Sequence, residues 1–173
     1  MILKVIGSLI IILASSFLGY SFSRDCSKRP QELRALQTML KMFENEIIFL
    51  SNILSDAFEK ISRSNKSQAA DFFRNTVEIL KNEKSLNASD AWEKAVKNSI
   101  GKTSLNREDE EILVSFGRML GSSDVEGQIK NIEMTVNQLK LQEYKAEEAK
   151  KKYETLYKTL GVLGGLTIVI VLV

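Results

Sequence analysis

Carboxylates are the main candidates for chemistry in this sequence, because the other common reactive side chains are scarce. The 173-residue chain has no histidine and a single cysteine, Cys26. The commonest general base and metal ligand is therefore missing, and neither a zinc site nor a Cys–His nucleophile pair can be assembled. The acids Glu108, Asp109, Glu110 and Glu111 are consecutive. Adjacent residues on a helix point in different directions, so this run predicts a solvated or binding face rather than a metal site.

A second candidate for chemistry is the stretch IGKTS at Ile100–Ser104, which is similar to the end of a phosphate-binding loop. That loop requires G-x-x-x-x-G-K-[ST], and Val96 occupies the position of its first glycine. It also requires a preceding strand, whereas a helical pattern precedes this stretch. The sequence therefore predicts no catalytic residue, no cofactor and no metal, and the protein is predicted not to be an enzyme. A hydrolase that uses carboxylates is the enzymatic alternative.

Helices are the elements that must position these residues. The chain has one proline, Pro30, at the start of a helical pattern where a proline is tolerated. Apolar residues then follow at alternating steps of three and four, as on the buried face of a bundle helix. They are Leu33, Leu36, Leu40, Phe43, Ile47, Leu50, Leu54, Ala57 and Ile61, widened by Met39, Met42, Ile48, Phe49 and Phe58. Poor helix formers at residues 51–56 predict a kink or break near Asn52, which could cap a second helix.

Further helices are predicted between residues 67 and 158. One carries Phe72, Phe73 and Val77 on one face, and the next begins near a cap at Ser89 and buries Trp92. The acidic run lies in the first turn of a helix that is predicted to start at the cap Asn106 and end at Gly121. A long last helix opens with a capping box formed by Ser123 and Glu126 and becomes polar beyond Leu141. The predicted fold is all-α, an antiparallel helical bundle.

Both ends of the chain are apolar and are predicted to be transmembrane helices. Residues 5–23 lack charge, and eighteen residues span about 27 Å as a helix, close to the roughly 30 Å hydrocarbon core. A cleaved signal peptide is the alternative at that end. Residues 159–173, or the segment from Leu156, form the second span, with docking into a groove of the protein as the alternative. Small residues that would allow close packing of these helices are Ser15, Gly19, Gly161 and Gly165.

Basic residues flank both apolar segments on the side of the intervening domain. Arg24, Lys28 and Arg29 follow the first segment, and Lys150–Lys152 precede the second. The positive-inside rule therefore places residues 24–158 in the cytoplasm as one helical domain of a two-pass membrane protein. The single cysteine suits a reducing compartment. A net charge of only +2 gives no reason to expect nucleic acid as a partner.

Five segments, spread over nearly the whole chain, match the pattern of a known family. They are LKVIGSLIIILASSFLGY, KRPQELRALQTMLKMFENEI, DAWEKAV, FGRMLGSSDVEGQIKNI and LGVLGGLTIVIVLV. In these segments the chain resembles the stage III sporulation protein AB family. The family often has a proline near the position of Ile53, which this chain lacks. Residues that match the family's motifs are Trp92, Gly117, Gly121, Ser123, Asp124 and Gln128.

The resemblance implies a place in the assembly between mother cell and forespore, in the cell membrane on the mother-cell side of the outer forespore membrane. It implies a fold similar to the cytoplasmic domain of the F-type platform proteins of type II secretion. It also implies two kinds of partner. One is a cytoplasmic secretion-type ATPase, the stage III sporulation protein AA, and the others are membrane proteins of the same complex. A purely structural tether or coiled-coil protein without ATPase contact is the alternative.

The acidic residues provide a candidate surface for such a partner. They lie on two helices joined by the turn Gly121–Ser122, so we expect them to converge into one patch that favours a basic partner. The alternative is that they only complement the amino termini of these helices. The candidate partner-binding residues are Glu108, Asp109, Glu110, Glu111, Asp124 and Glu126.

Overall fold

The computed structural model describes residues 28–50, 54–121 and 124–172, and every regular element in these ranges is a helix. The predicted all-α class is therefore confirmed for this part of the chain. The helices are α1 (Lys28–Leu50), α2 (Leu54–Ser64), α3 (Ala70–Asn82), α4 (Ala88–Ser99), a short 3-10 helix (Ile100–Lys102), α5 (Arg107–Gly117) and α6 (Val125–Leu172).

Residues 29–144 form one compact unit, and α6 continues from Lys145 as part of a second. The predicted N-terminal span, residues 1–23 with Ser15 and Gly19, lies outside the described residues. The backbone of the predicted C-terminal span is helical to Leu172. The packing around its two glycines lies outside the described side chains. In the described part of the chain, no helix combines the length and apolar character needed to cross a membrane.

Helices α1 and α2 run in opposite directions and pack against each other. The rings of Phe43 and Phe58 lie 4.9 Å apart edge to face. Lys60 forms an ion pair with Glu46, and Ser64, one turn later on α2, donates to the Met42 sulfur, one turn earlier on α1. Lys60 and Glu46 are 14 positions apart, which would be about 21 Å along one continuous helix, so α1 and α2 are separate helices folded against each other. The predicted break is confirmed, whereas the proposed cap at Asn52 lies outside the described residues.

The predicted apolar face of α1 and α2 forms one side of the core. Its buried members are Leu33, Leu36, Met39, Leu40, Phe43, Ala57, Phe58 and Ile61. Ile47 is only half-buried and Ile48 is 46% exposed, so these two positions are less buried than the spacing predicted. Next to them Glu46 is buried and forms an ion pair with Lys60 on α2.

Substitution of Leu40 and of Ile47 by alanine should show the difference between a fully buried and a half-buried position on α1. Leu40→Ala is expected to lower the free energy of unfolding by about 2–5 kcal/mol, since the side chain is fully buried. Ile47→Ala should cost less, because Ile47 already contacts solvent. Urea unfolding of the full chain followed by circular dichroism measures both values. Equal losses would mean that the buried face extends through Ile47.

An aromatic cluster around Trp92 forms the centre of the core. The Trp92 ring lies 5.5 Å from Phe58, 5.1 Å from Phe73 and 5.2 Å from Phe116, measured between ring centroids. Its indole Nε1–H donates to the backbone oxygen of Leu113 on α5, at 2.7 Å. Four helices therefore meet on one fully buried side chain, and the hydrogen bond fixes the orientation of its ring.

The structure shows which residues cap the starts of α4 and α5. Asn106 caps α5 as predicted, because its side chain accepts from the backbone N–H of Asp109 and the Asp109 carboxylate accepts from the Asn106 N–H. The predicted cap at Ser89 is wrong. Asn87 performs this role by accepting from the Asp90 N–H at 2.8 Å, so α4 begins one residue after it.

The predicted end of α5 at Gly121 is also wrong. The helix ends at Gly117, and turn hydrogen bonds such as Leu120 N–H to the Gly117 oxygen carry the chain onward. Gly121 follows with a backbone φ of 75°, a conformation that glycine adopts without strain. At the start of α6 the cap is Asp124, whose carboxylate accepts from the Gly127 N–H. The proposed capping residue Ser123 lies outside the described residues.

Candidate partner-binding surface

Helices α5 and α6 run antiparallel, which separates the acids that the sequence placed in one patch. Asn131 near the start of α6 donates to the Phe116 oxygen at the end of α5, and Gln142 donates to Glu108 at its beginning. The eighteen residues from Asp124 to Gln142 span roughly 27 Å of helix. The acids of α5 therefore lie at one end of the α5–α6 pair, and Asp124 with Glu126 at the other.

Asp109 lies inside the bundle and is not part of an exposed surface. Its side chain is fully buried and accepts two hydrogen bonds from Arg29, at 2.8 Å from Nε and 2.9 Å from Nη2. Arg29 Nη2 also donates to the side-chain oxygen of Gln142 on α6, at 3.0 Å. A partner could reach this carboxylate only by breaking the contact of α1 with α5, so Asp109 positions helices.

Three other acids of the predicted patch serve local structure. The Glu108 carboxylate accepts from Gln142 at 2.9 Å, which connects α5 to α6. Asp124 caps α6, and Glu126 is exposed in the first turn of the same helix, where a negative charge is favourable. The structure thus leaves Glu110 and Glu111 as the acids that face a concave surface.

That surface is an open groove of about 370 Å³ between α4 and α5. We call it the α4/α5 groove. Two of its lining side chains are uncharged, and the others carry charges of both signs. The lining residues are Glu93, Lys97, Arg107, Glu110, Glu111, Val114, Ser115 and Arg118.

Most of the charges in the α4/α5 groove are paired within their own helix. Glu93 pairs with Lys97 on α4, and Arg107 pairs with Glu111 on α5. The hydrogen bond from Lys97, together with its charge, holds the pKa of Glu93 below its usual value. Each wall of the groove therefore carries a neutralised pair at neutral pH.

Sequence reasoning identified two acids of the α4/α5 groove, Glu110 and Glu111, and missed Glu93 and the three bases. The ion pairs are visible in the sequence, because Glu93 and Lys97, like Arg107 and Glu111, are four residues apart on a helix. Arg118 lies beyond the end of α5, and only the turn that follows Gly117 brings it to the groove. No spacing rule predicts that placement.

A second set of polar contacts connects α1 to α6. Glu143 accepts hydrogen bonds from Arg34 and from Gln37, the latter at 2.7 Å. Burial alone would raise the pKa of Glu143. The two hydrogen bonds and the charges of Arg34 and Lys140 outweigh burial, so the pKa of Glu143 lies below its usual value of 4.5.

The lowered pKa of Glu143 predicts a contribution to acid sensitivity. A carboxyl group whose pKa is lowered by folding stabilises the folded state at pH values above its unfolded-state pKa. This stabilisation is lost as the pH falls through the pKa of the folded state. Glu143→Gln should therefore lose less stability than the unaltered chain when pH is lowered from 6 to 3. Urea unfolding at each pH measures the effect, which should be about 1 kcal/mol or less for so exposed a partner as Arg34. Parallel pH profiles would contradict the prediction.

The residues that match the family's motifs serve local structure in the described part of the chain. Trp92 forms the aromatic centre, and Gly117 lies directly against its ring. Gly121 takes the left-handed turn conformation, and a side chain there would contact Ala88. The Gln128 N–H donates to the Asp124 oxygen in the first turn of α6.

The structure also bears on the two other kinds of site considered from the sequence, a phosphate-binding loop and a metal site. In the IGKTS stretch, the Ser104 N–H donates to the Glu32 carboxylate at 2.7 Å. A backbone N–H that a phosphate would need as a donor is therefore already bound to an acid. The ranges that the structure describes contain no group of three or more histidine, cysteine, aspartate or glutamate side chains arranged to hold a metal ion.

Comparison with known proteins identifies the family. A family model described as stage III sporulation protein AB matches residues 4–173. A relative named stage III sporulation protein AB, from Bacillus subtilis (strain 168), is 30% identical over 170 residues, covering 98% of this chain and 99% of the relative. A solved structure of the same name is similar with a TM-score of 0.67 and 29% identity, over 72% of this chain and 98% of that chain. The resemblance seen in the sequence is thus confirmed, and the chain belongs to the stage III sporulation protein AB family.

Proposed function

We propose that this chain is a membrane-anchored scaffold of the secretion or channel complex that forms between mother cell and forespore during sporulation. Its helical domain lies in the mother-cell cytoplasm at the outer forespore membrane. There it engages a cytoplasmic secretion-type ATPase, the stage III sporulation protein AA, and neighbouring membrane proteins of the complex. It acts by binding, and the ATPase supplies the energy.

The α4/α5 groove is the observation that carries this proposal. It is open to solvent, about 370 Å³ in volume, and lined by charges of both signs. It is presented by two helices whose relative position is fixed through Trp92 and its hydrogen bond to Leu113. Preorganised surfaces bind partners with a smaller loss of conformational entropy. Family membership, with the likeness to F-type platform proteins that it implies, supports an ATPase as the partner.

Membrane anchoring is supported by the sequence at both ends. The apolar segment 5–23 is long enough to cross a bilayer, whereas segment 159–173 falls short of a full span and gains a turn only if it begins at Leu156. Basic residues flank both segments on the domain side. Two anchors would hold the domain at the membrane surface. An ATPase that binds there would be confined close to the complex it drives.

Binding of the ATPase to the membrane-embedded chain tests the proposal. The full chain is reconstituted in lipid nanodiscs, and purified ATPase is titrated at low and high salt with and without nucleotide. We expect saturable binding that weakens with salt, because charged surfaces dominate the groove. Empty nanodiscs of the same lipids are the control. Binding no greater than to empty nanodiscs in every nucleotide state would refute ATPase engagement.

One observation favours the structural tether as a second candidate. Helix α6 runs for 48 residues and exposes Met134, Leu141 and Tyr144 on the side away from the buried Leu139. Such a stripe would suit a coiled-coil contact between copies. Light scattering of the full chain in detergent distinguishes the structural tether from the ATPase-binding scaffold. A tether of this kind should form oligomers, and Leu141→Lys should dissociate them.

A further inference from the structure

Two opposite charges in the α4/α5 groove have no hydrogen-bonding partner. Glu110 lies on α5 and is half-buried, and Arg118 is exposed just beyond its end. Among the residues that the structure describes, neither side chain makes a hydrogen bond or an ion pair, although the charge of Arg118 acts at longer range on Glu93 of α4. They differ from Glu93, Lys97, Arg107 and Glu111, which are paired along their own helices.

Glu110 and Arg118 cannot form an ion pair with each other without distortion of the helix, because they are eight positions apart. This separation corresponds to roughly 12 Å along a helix axis, about two helical turns. Val114, halfway between them, is half-buried and contributes an apolar surface to the groove. With the other charges of the groove in ion pairs, Glu110 supplies an acid outside those pairs at one end, Val114 an apolar middle and Arg118 a base outside those pairs at the other end.

We infer that the α4/α5 groove binds a helical segment of the ATPase that carries a basic and an acidic residue about two turns apart. The basic residue meets Glu110, the acidic residue meets Arg118, and a small or apolar residue between them packs on Val114. This inference rests on the proposed function and names the surface that performs it. A helix is the occupant that fits, because a groove between two helices accepts a third helix with contacts at successive turns.

The order of charges makes the groove selective. A segment with the reverse order would place like charges together at both ends, and such contacts are repelled. A purely basic segment would pair with Glu110 but would be repelled by Arg118. The groove thus differs from a general acidic patch, for which any basic surface would be a partner.

Charge reversal at Arg118 distinguishes these two models. If binding depended on acidity alone, Arg118→Glu would strengthen it by making the surface more negative. If the groove binds a segment with charges of both signs, Arg118→Glu weakens binding, as Glu110→Lys does, by about tenfold or more for each. Glu78→Lys on α3 and Lys130→Glu on α6 are matched controls, since both residues are exposed and lie outside the groove. These controls should change affinity by less than threefold.

The experiment titrates purified ATPase onto the full chain and each variant in nanodiscs, after circular dichroism has shown that each variant is folded. Weaker binding by both groove variants, with the controls unchanged, supports the inference. Binding by the unaltered chain that Arg118→Glu leaves equal or tighter overturns the inference and leaves the proposed function standing. Failure of the unaltered chain to bind the ATPase at all overturns both.

Discussion

Gly117→Ala is expected to lower the free energy of unfolding by about 1–3 kcal/mol, although alanine is normally the better helix former. A Cβ atom at this position would lie 2.3 Å from Trp92 Cδ1, well inside van der Waals contact. The indole cannot move aside easily, because Phe58, Phe73 and Phe116 surround it and its Nε1–H bonds to α5. Urea unfolding at constant pH gives the difference in stability.

Gly101→Ala is the matched control for this substitution. No atom lies within 4 Å of a Cβ built at Gly101, so the same change in composition should leave stability almost unaltered. Combining Gly117→Ala with Trp92→Phe should cost less than the sum of the two single changes, because the smaller ring relieves the clash. If Gly117→Ala were as harmless as Gly101→Ala, the close approach of α5 to Trp92 would be disproved.

Asp109→Ala is expected to have the largest effect of the charge substitutions, about 3–5 kcal/mol. It removes the buried acceptor of two Arg29 hydrogen bonds and leaves the guanidinium, which is only 19% exposed, without its carboxylate. It also deletes the acceptor for the Asn106 N–H at the start of α5. The polar contact of α1 with α5 and one of the two hydrogen bonds of the helix cap are therefore lost together.

Glu111→Ala serves as the control on the same helix. Its carboxylate pairs with Arg107, but both side chains are largely exposed, and such pairs contribute roughly 0–1 kcal/mol. The melting temperatures of Asp109→Ala and Glu111→Ala therefore compare a buried acid with an exposed acid two residues away in sequence. Similar melting temperatures would mean that the Arg29–Asp109 contact adds nothing to stability.

The helices of this fold were predictable because their apolar spacing is strong and their breakers are distinct. Leu33, Leu40 and Trp92 are buried as the spacing predicted, and Asn106 caps its helix. Helix ends were less predictable, since several neighbouring residues can cap. Asn87 and Ser89 are both residue types that cap well, and only the hydrogen bond from the Asp90 N–H shows that Asn87 is the cap.

The surface was harder to predict than the core. From the sequence, Asp109 is indistinguishable from Glu110 or Glu111, and only its contact with Arg29, eighty positions away, shows that it is buried. The antiparallel course of α5 and α6 separated acids that are close in sequence. Arg118 joins the α4/α5 groove through a turn, so no periodic pattern includes it.

The contact between Arg29 and Gln142 also has a consequence for timing during synthesis. These residues are 113 positions apart, and ribosomes add about 5–20 residues per second. Helices α2 to α5 pack mainly on their neighbours in the chain and can assemble as they emerge. Arg29 must wait on the order of ten seconds for its partner on α6. Closure of α1 onto α6 therefore cannot precede the synthesis of Gln142, and a ribosome that stalls before Gln142 would leave α1 incompletely covered.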